Sequence, residues 1–418
     1  MKSSRRCATG LVALLLGANA AQVQAQEQKQ DLCLKGGFVV SPATRTITKA
    51  DLTIRGTRIV KVSTNQATCA GKQLDITGAF VVPGFIDTHV HVWGNPSPVA
   101  EANDEEWGEE GTAKRALQTG VVAFLSMSGE AEDVAMRDRL RASPQHTQFV
   151  LAAPTYTAAK NDQEARSRIA SMVKRGPDLI KLFAGGSQIA AMVGQARALG
   201  KKTVVHIASW QDARAAVKAG ATAITHLEDE AIIPSDLVQE MVRRKTISIP
   251  TLAVQCDMAL LADPKLPPQW WSDPLLQKVL GPKVRADYAK ASEFSKKTLR
   301  TIEWQKAGCT TNDFASIKRL RDAGVLILAG SDTGNLGTFQ GFSLHREMQL
   351  LAEAGLSNWE ALAAGTSAAA AFLELPYGVT EGSEASIVVL EASPVDDISN
   401  TRKIRYVIHH GKLLNEQQ

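Results

Sequence analysis

The chain has 418 residues, of which 44% are hydrophobic, and its formal net charge is +4. A chain of this length and composition can bury a large core, which excludes wholesale disorder. Lys2, Arg5 and Arg6 supply three of the positive charges, so the rest of the chain is close to neutral. There is no basic stripe with interleaved aromatic residues, and nucleic acid is not an expected partner.

Residues 1–25 have the features of a secretory signal peptide. The basic start MKSSRR precedes the apolar run LVALLLGANAA, and Val23-Gln24-Ala25 offers small residues at the cleavage positions. A membrane anchor is the alternative, but the run is short for a span of roughly 20 residues. We therefore expect an exported, periplasmic product that has no membrane contact after cleavage.

Four cysteines remain after cleavage, namely Cys33, Cys69, Cys256 and Cys309. An even number in an oxidising compartment permits two disulfides. Cys33 and Cys69 flank one strand-rich stretch, and Cys256 and Cys309 bracket one insertion, so we expect these two pairs. Free buried thiols are the alternative. The absence of CxxC spacing argues against a zinc–thiolate site.

Both ends of the mature chain alternate apolar and polar residues between turns, as in ADLTIRGTRIVKV and ASIVVLEAS. This texture is typical of short antiparallel strands. We expect one small β-sandwich built from residues 26–80 and 375–418. His409 and His410 are expected at a solvated position or an edge strand of this unit.

Residues 81–374 alternate buried-type strands with amphipathic helices, which predicts an α/β domain, a (β/α)8 TIM barrel. Helices are expected at EARSRIASMVKRG, SQIAAMVGQARALG and WQDARAAVKAG. The eight predicted strands are VVPGFIDTHVHV, GVVAFLSM, TQFVLAAPTYT, PDLIKLFA, KTVVHIA, ATAITHLED, TISIPTLAV and GVLILAGSDT.

The stretch at about 256–323 is too long for one connection and predicts a helical insertion with Trp270, Trp271 and Trp304. We interpret it as a lid beside the site. The alternative is decoration packed on the outside of the barrel.

Four histidines, His89, His91, His206 and His226, end predicted strands, and in a barrel all such ends face one rim. His89 and His91 are two apart on a strand, so both imidazoles point to the same side and could hold one metal ion. HxH alone is a weak signal. Its place after PGFID, together with histidines at the ends of strands five and six, favours a metal site over hydrogen-bonded core histidines.

Lys181 lies on strand four in DLIKLFAGG. As an ammonium it would be repelled by metal ions, but its neutral amine can capture carbon dioxide to become an N6-carboxylated, anionic side chain that bridges two ions. The alternative is a lysine that binds a substrate carboxylate or a nearby Asp. Position alone does not separate the two, and the surrounding histidines favour carboxylation.

Asp332 ends strand eight in LILAGSDTG, where it could touch one metal and hydrogen-bond a bridging water. Two metal ions lower the pKa of such a water towards about 7. Asp332 would accept a proton from the bridging water when that water attacks the substrate, and would pass it to the leaving amine. A turn or cap is its alternative role. Asp87, Glu228 and Asp229 are candidates for holding an imidazole N–H.

This set resembles the amidohydrolase superfamily through PGFIDTHVH, Lys181, His206, His226 and Asp332. The tail HREMQLLAEAGLSNWEALAAGTSAAAAFLEL is similar to the imidazolonepropionase-related and prolidase-like branch. The resemblance implies a binuclear amidohydrolase with two divalent ions, zinc being expected. The segment VHIAS lacks the Glu that deaminases of the superfamily carry after the strand-five histidine, and the chain has Lys181 on strand four. Both features argue against deamination.

The resemblance implies a small-molecule or dipeptide-like substrate, with dipeptides and N-acyl amino acids as the preferred class. Hydrolysis of a lactone, cyclic amide or phosphotriester on the same centre is an alternative. A catalytically dead binding protein on this fold is another, although no ligand is lost. A homo-oligomer is compatible with the sequence.

Overall fold

The computed structural model describes residues 31–65, 68–92, 108–129, 131–228, 230–262, 269–299, 309–335 and 337–414. The predicted signal peptide, Trp304 and Asp229 lie outside the described residues. In the described part of the chain, no helix has the length and apolar character needed to cross a membrane.

The chain begins with seven short strands. They are β1 (Leu32–Lys35), β2 (Phe38–Ser41), β3 (Thr46–Lys49), β4 (Asp51–Arg55), β5 (Arg58–Ser63), β6 (Lys72–Asp75) and β7 (Phe80–Pro83). They contain many β-branched residues, and the inward-facing members of β1, β4 and β5, such as Leu34, Leu52 and Ile59, are fully buried.

Seven parallel strands then form one sheet in sequential order. They are β8 (Phe85–Val90), β9 (Val121–Ser126), β10 (Gln148–Tyr156), β11 (Leu179–Phe183), β12 (Thr203–His206), β13 (Ala223–Thr225) and β14 (Ile247–Ile249). Every residue of β8 and β9 is buried. Strands covered on both faces need such continuous apolar runs, which is why these segments could be found in the sequence.

The barrel closes through the predicted eighth strand, although this segment makes only isolated bridges. Ile327 pairs with Ser248 of β14, and Thr333 pairs with Val90 of β8, both in parallel. The Asp332 amide also donates to the His89 carbonyl at 2.8 Å. The predicted TIM barrel is therefore confirmed, and its last strand is hydrogen-bonded to its first.

Twelve helices are described. They are α1 (Glu109–Gln118), α2 (Ala131–Leu140), α3 (Asp162–Val173), α4 (Ile189–Ala198), α5 (Trp210–Ala219), α6 (Ser235–Arg244), α7 (Leu252–Ala262), α8 (Pro274–Leu299), α9 (Thr311–Asp322), α10 (Phe342–Glu353), α11 (Asn358–Ala364) and α12 (Ser367–Leu373). The three helices predicted above correspond to α3, α4 and α5.

Local signals explain the ends of α5. The Ser209 side chain accepts a hydrogen bond from the Asp212 amide, which satisfies one of the free N–H groups at the start of the helix. Gly220 ends the helix with φ 85°, a left-handed conformation that glycine adopts without a Cβ penalty.

The C-terminal strands are β15 (Ile387–Leu390), β16 (Ile404–His409) and β17 (Lys412–Leu413). They join the N-terminal strands in a six-stranded sheet of order β17-β16-β15-β7-β2-β3, beside a four-stranded sheet of order β5-β4-β1-β6. Side chains from both sheets share one apolar cluster that includes Leu34, Ile54, Val81, Ile387 and Ile408. The predicted sandwich from both termini is confirmed.

The segment VVPGFIDTHVHV, predicted as one barrel strand, divides at Gly84. β7 pairs with β15 in the sandwich, whereas β8 begins the barrel. A Cβ on Gly84 would lie 2.5 Å from the Val122 side chain and 2.9 Å from the Ser386 carbonyl. The chain therefore passes from one sheet to the other at a point where only glycine fits.

The position expected for His409 and His410 is wrong, since both side chains are buried. β16 lies inside the sheet between β15 and β17, and His409 Nδ1 is 3.0 Å from Ser386 Oγ. The alternation of apolar and polar residues in this strand concealed a polar pair that the sheet buries by hydrogen bonding.

The insertion is helical in its described part, and its apolar residues pack beside the end of strand eight. Trp270, Leu276 and Val279 belong to a cluster with Phe339 and Phe342, which follow Asp332 in the chain. In contrast, α9 packs with the barrel, because its Ile317 and Leu320 lie in the main core.

The structure joins Cys33 to Cys69 and Cys256 to Cys309, as expected. The Cα–Cα separations are 6.3 Å and 4.7 Å, inside the range for disulfides. The first pair links β1 to the loop before β6. The second links α7 to the residue just before the cap of α9, so it closes the base of the insertion.

His345 on α10 gives stability a dependence on pH. Its imidazole is fully buried, with Nε2 3.0 Å from the Thr119 carbonyl, and burial lowers its pKa from 6.5 to about 3. The unfolded chain gains this proton near pH 6.5 and the folded chain only near pH 3. The buried neutral imidazole therefore contributes to the free energy of unfolding in full above pH 6.5. This contribution is lost as the pH falls from 6.5 towards 3, by up to ~1.4 kcal/mol per pH unit.

We expect His345→Gln to reduce the slope of unfolding free energy against pH by about one proton between pH 6 and 4. Urea titrations at several pH values would measure this slope. A comparison of the two proteins at pH 7.5 separates any general loss of packing. An unchanged slope would contradict the assignment.

Candidate metal centre

The structure brings the six predicted site residues to the same rim of the barrel. His89 lies near the end of β8, and His91 is the first residue after that strand. Lys181 lies on β11 and His206 on β12. His226 follows β13, and Asp332 lies in the eighth segment. Because the strands are parallel, their carboxyl ends meet at one rim.

Asp332 is the centre of the first group. Its Oδ1 is 3.3 Å from His89 Nε2 and 3.1 Å from His91 Nε2. The ligand atoms of these three residues lie within 4.8 Å of one another. Two imidazoles and one carboxylate at this spacing can hold a divalent ion.

His206 and His226 form a second group beside the first. Their ring centroids are 4.4 Å apart, and the His226 ring is 5.0 Å from that of His89. His226 Nδ1 also lies 3.9 Å from Asp332 Oδ2. Burial lowers the pKa of His206 to about 4 and that of His226 well below its usual value, so both rings are neutral near pH 7.

Lys181 lies beside the first group and is only 1% exposed. Its Nζ is 3.5 Å from His89 Nε2, and the described residues offer it no carboxylate within ion-pair distance. Burial lowers its pKa from 10.5 to about 7. A substantial fraction of the side chain is therefore a neutral amine at neutral pH.

Two threonines behind the histidines fix their orientation. Thr225 Oγ1 is 2.7 Å from His89 Nδ1, and Thr251 Oγ1 is 2.7 Å from His226 Nδ1. Thr251 already donates to the Pro250 carbonyl at 2.7 Å, so it accepts from the His226 Nδ1–H. The lone pair of His226 is then on Nε2, the free nitrogen that a metal ligand requires.

The donor set fits a bound cation. Buried Asp332 Oδ1 receives no well-directed hydrogen bond from the described residues, although two imidazole Nε2 atoms approach it. Burial would raise the pKa of Asp332, but His89, His91 and His226 outweigh this and lower it, so the carboxyl is ionised. Such a buried carboxylate, whose Oδ1 has no hydrogen-bond partner among the described residues, needs a positive partner.

Three residues of the site have left-handed backbone, namely His226 with φ 74°, Thr251 with φ 58° and Asp332 with φ 53°. Each such non-glycine residue costs of order 1–3 kcal/mol and persists only where the surroundings hold it. His226 directly follows β13, Thr251 lies two residues after β14, and Asp332 precedes Thr333, which pairs with β8.

Asp87 and Glu228, two of the three residues predicted to hold an imidazole N–H, have other contacts, and Asp229 lies outside the described residues. Asp87 Oδ1 accepts from the Ser331 amide at 2.9 Å, and its Oδ2 accepts from the Ser331 hydroxyl. Burial raises the pKa of Asp87 to about 7. Glu228 accepts from the Trp210 amide at the start of α5. Thr225 and Thr251 make the contacts with imidazole Nδ1 that were expected of these carboxylates.

Thr251→Val should weaken metal binding by about 10- to 100-fold, as is typical when a group that orients a ligand is lost. Valine keeps the shape of threonine and removes the acceptor for His226 Nδ1–H. Thr251→Ser restores the hydroxyl and should bind nearly as tightly as wild type. Competition with a chelator would measure the three affinities. Equal affinity of the Val and Ser variants would exclude the role.

Residues 80–414 match the family model described as "Amidohydrolase family". The chain belongs to the amidohydrolase family. The match covers the barrel and the C-terminal strands of the sandwich, so the family predicted from the ligand pattern is confirmed. Members of this family typically depend on metal ions and act on small molecules.

Curated relatives of this amidohydrolase match over short stretches. An N-acyl-D-glutamate deacylase of Alcaligenes xylosoxydans xylosoxydans is 42% identical over 65 residues, 16% of this chain and 13% of the relative. An adenine deaminase of Deinococcus radiodurans is 35% identical over 66 residues, 16% of this chain and 12% of the relative. The chain thus covers only about an eighth of each of these proteins.

Solved structures match over nearly the whole amidohydrolase chain. A Xaa-Pro dipeptidase with bound methionine has a TM-score of 0.70 and 17% identity, over 92% of this chain and 100% of the other. Phenylurea hydrolase B has a TM-score of 0.71 and 18% identity, over 92% and 97%. At this identity the comparisons establish the shared fold.

Proposed function

We propose that this amidohydrolase cleaves C–N amide bonds of dipeptides or N-acyl amino acids with two divalent ions, zinc being expected. His89, His91 and Asp332 would hold one ion, and His206 and His226 the other. Lys181, N6-carboxylated, would bridge them. The observation that carries the proposal is the burial of Lys181 in a site of four histidines and Asp332. No carboxylate of the described residues lies within ion-pair distance of its Nζ.

Carboxylation of Lys181 reverses the sign of its charge. The lone pair of Nζ forms a bond to the carbon of CO2, and the nitrogen releases one proton, which leaves an anionic carbamate. The pKa of about 7 makes the neutral amine available for this step. The anion would balance the charge that two divalent ions bring into a buried site, whereas an ammonium would add to it.

Divalent ions at this site would supply polarisation of the substrate carbonyl and a water of lowered pKa. The protein's own contribution is proton transfer by Asp332, which is ionised and faces the space between the histidines. Asp332 would take the proton of the attacking water and give it to the departing amine nitrogen. Thr225 and Thr251 would keep His89 and His226 in the ligating orientation.

The printed names of relatives support attack on C–N bonds, because one is a deacylase of an N-acyl amino acid and a fold neighbour is a Xaa-Pro dipeptidase. A panel of dipeptides, N-acyl amino acids, lactones, phosphotriesters and adenine would test the class. We expect amine release from the first two, with close to two ions per chain by elemental analysis. Activity confined to lactones, phosphotriesters or adenine would overturn the amide assignment.

We also propose that the protein works after export to a periplasm. The signal-peptide features of residues 1–25 and the two disulfides support an oxidising compartment. Expression of the full chain in a bacterium, followed by fractionation and N-terminal sequencing, would test this. A mature product that begins near residue 26 is expected, and an uncleaved cytoplasmic product would contradict export.

A further inference from the structure

An aromatic row extends outward from the metal centre across three neighbouring strands. Tyr156 of β10 pairs in register with Phe183 of β11, and Phe183 pairs with His206 of β12. Paired residues on adjacent strands project to the same face. The Tyr156 and Phe183 rings are stacked at 4.9 Å with an interplanar angle of 26°, and the Phe183 ring is 5.2 Å from that of His206.

The row lies one layer outward from Lys181. Phe183 is two residues after Lys181 on β11, so both side chains face the barrel interior and are separated by roughly 7 Å along the strand. Lys181 Nζ is 5.7 Å from the Phe183 ring centroid. A substrate whose scissile carbonyl lies at the centre would extend its neighbouring group over Phe183 and Tyr156.

Tyr156 is held in place although its ring is exposed. The side chain is 69% exposed, more than any other large hydrophobic residue in the described part of the chain. Its carbonyl accepts a hydrogen bond from Arg168, and the Thr157 amide that follows donates to the Phe183 carbonyl at 3.2 Å. An exposed apolar ring on a fixed backbone beside a catalytic rim is typical of a ligand subsite.

We propose that Tyr156 and Phe183 form a subsite that stacks a flat, aromatic group of the substrate next to the scissile amide. This inference rests on the proposed amide hydrolysis and deepens it, because it selects aromatic dipeptides and N-aroyl amino acids among the candidates. Stacking on an existing offset pair continues the same favourable arrangement of rings. The ring of Tyr156 acts here, rather than its hydroxyl.

The test compares N-benzoyl and N-acetyl derivatives of one amino acid in wild type, Tyr156→Leu and Tyr156→Phe. We expect the ratio of kcat/KM, benzoyl over acetyl, to fall about 3- to 10-fold in Tyr156→Leu, the usual size of an aromatic pair contribution. Tyr156→Phe should keep the wild-type ratio. Val242→Ala, at an exposed position on the outer helix α6, is the matched surface control.

A wild-type ratio in Tyr156→Leu would overturn the subsite. So would a Tyr156→Phe variant that loses activity on both substrates alike, because the hydroxyl would then be the active group. Calorimetric titration with benzylphosphonate and methylphosphonate measures the same preference without turnover. If wild type hydrolyses no amide yet prefers benzylphosphonate, the proposed reaction fails while the subsite stands. Equal affinity for the two phosphonates would reject the subsite in either case.

Discussion

Lys181→Ala should lose one or both ions and lower kcat/KM by about 10³-fold or more. Each ~1.4 kcal/mol of lost transition-state stabilisation is tenfold, and polarisation by a metal ion contributes several kcal/mol. The lysine is buried next to His89 and has no second function visible in its contacts. Elemental analysis and steady-state kinetics on the same preparation would show whether metal and activity disappear together.

If Lys181 is a carbamate, two further results are expected. Loading of the metal-free wild type should depend on added bicarbonate, and propionate should restore part of the activity of Lys181→Ala by placing a carboxylate in the vacated space. Lys318→Ala removes a lysine from the exposed surface of α9, where it pairs with Asp322, and should leave both quantities unchanged. A Lys181→Ala protein with two ions and full turnover would exclude the bridging role.

Asp332→Asn should keep its metal ions and lower kcat by about 10²- to 10⁴-fold, the usual contribution of a general acid–base group. Asparagine retains an oxygen at the Oδ1 position near His89 and His91 but cannot carry a proton. The deficit should be largest for alkylamine leaving groups and smaller for p-nitroanilides, which leave without full protonation.

Asp322→Asn on the surface of α9 serves as the control, because that carboxylate contacts only neighbouring side chains on the helix. Turnover of Asp332→Asn at the wild-type rate on alkylamides would remove its role as proton carrier. Loss of metal together with activity would instead assign it to ion binding alone.

The barrel and the position of its centre could be predicted because they depend on patterns that the sequence contains directly. Strands covered on both faces must be apolar, and polar residues at their carboxyl ends then stand out, as His206 does in TVVHIAS. The same logic found Lys181 and Asp332. It required no knowledge of distances, only of which strand end each residue occupies.

Other features depend on tertiary contacts that leave no periodic signal. Thr225 and Thr251 look like ordinary strand-forming residues, and only the three-dimensional structure places their hydroxyls against histidine rings. Likewise, a proline and a glycine inside VVPGFIDTHVHV do not reveal that the chain changes sheets there. The burial of His409 depends on β17, which has only two residues and pairs along the strand that carries it.

The closure of the barrel has a thermodynamic consequence. The eighth segment has no extended ladder, yet the Asp332 amide is bonded to the His89 carbonyl and the Thr88 amide to the Ala329 carbonyl. Ions that bind His89 and Asp332 would therefore join the first and last strands through side chains as well. Ligands that bind only the closed state stabilise it by RT ln(1 + [L]/Kd). Chelation should thus accelerate amide hydrogen exchange first along this join, before the sandwich or the outer helices open.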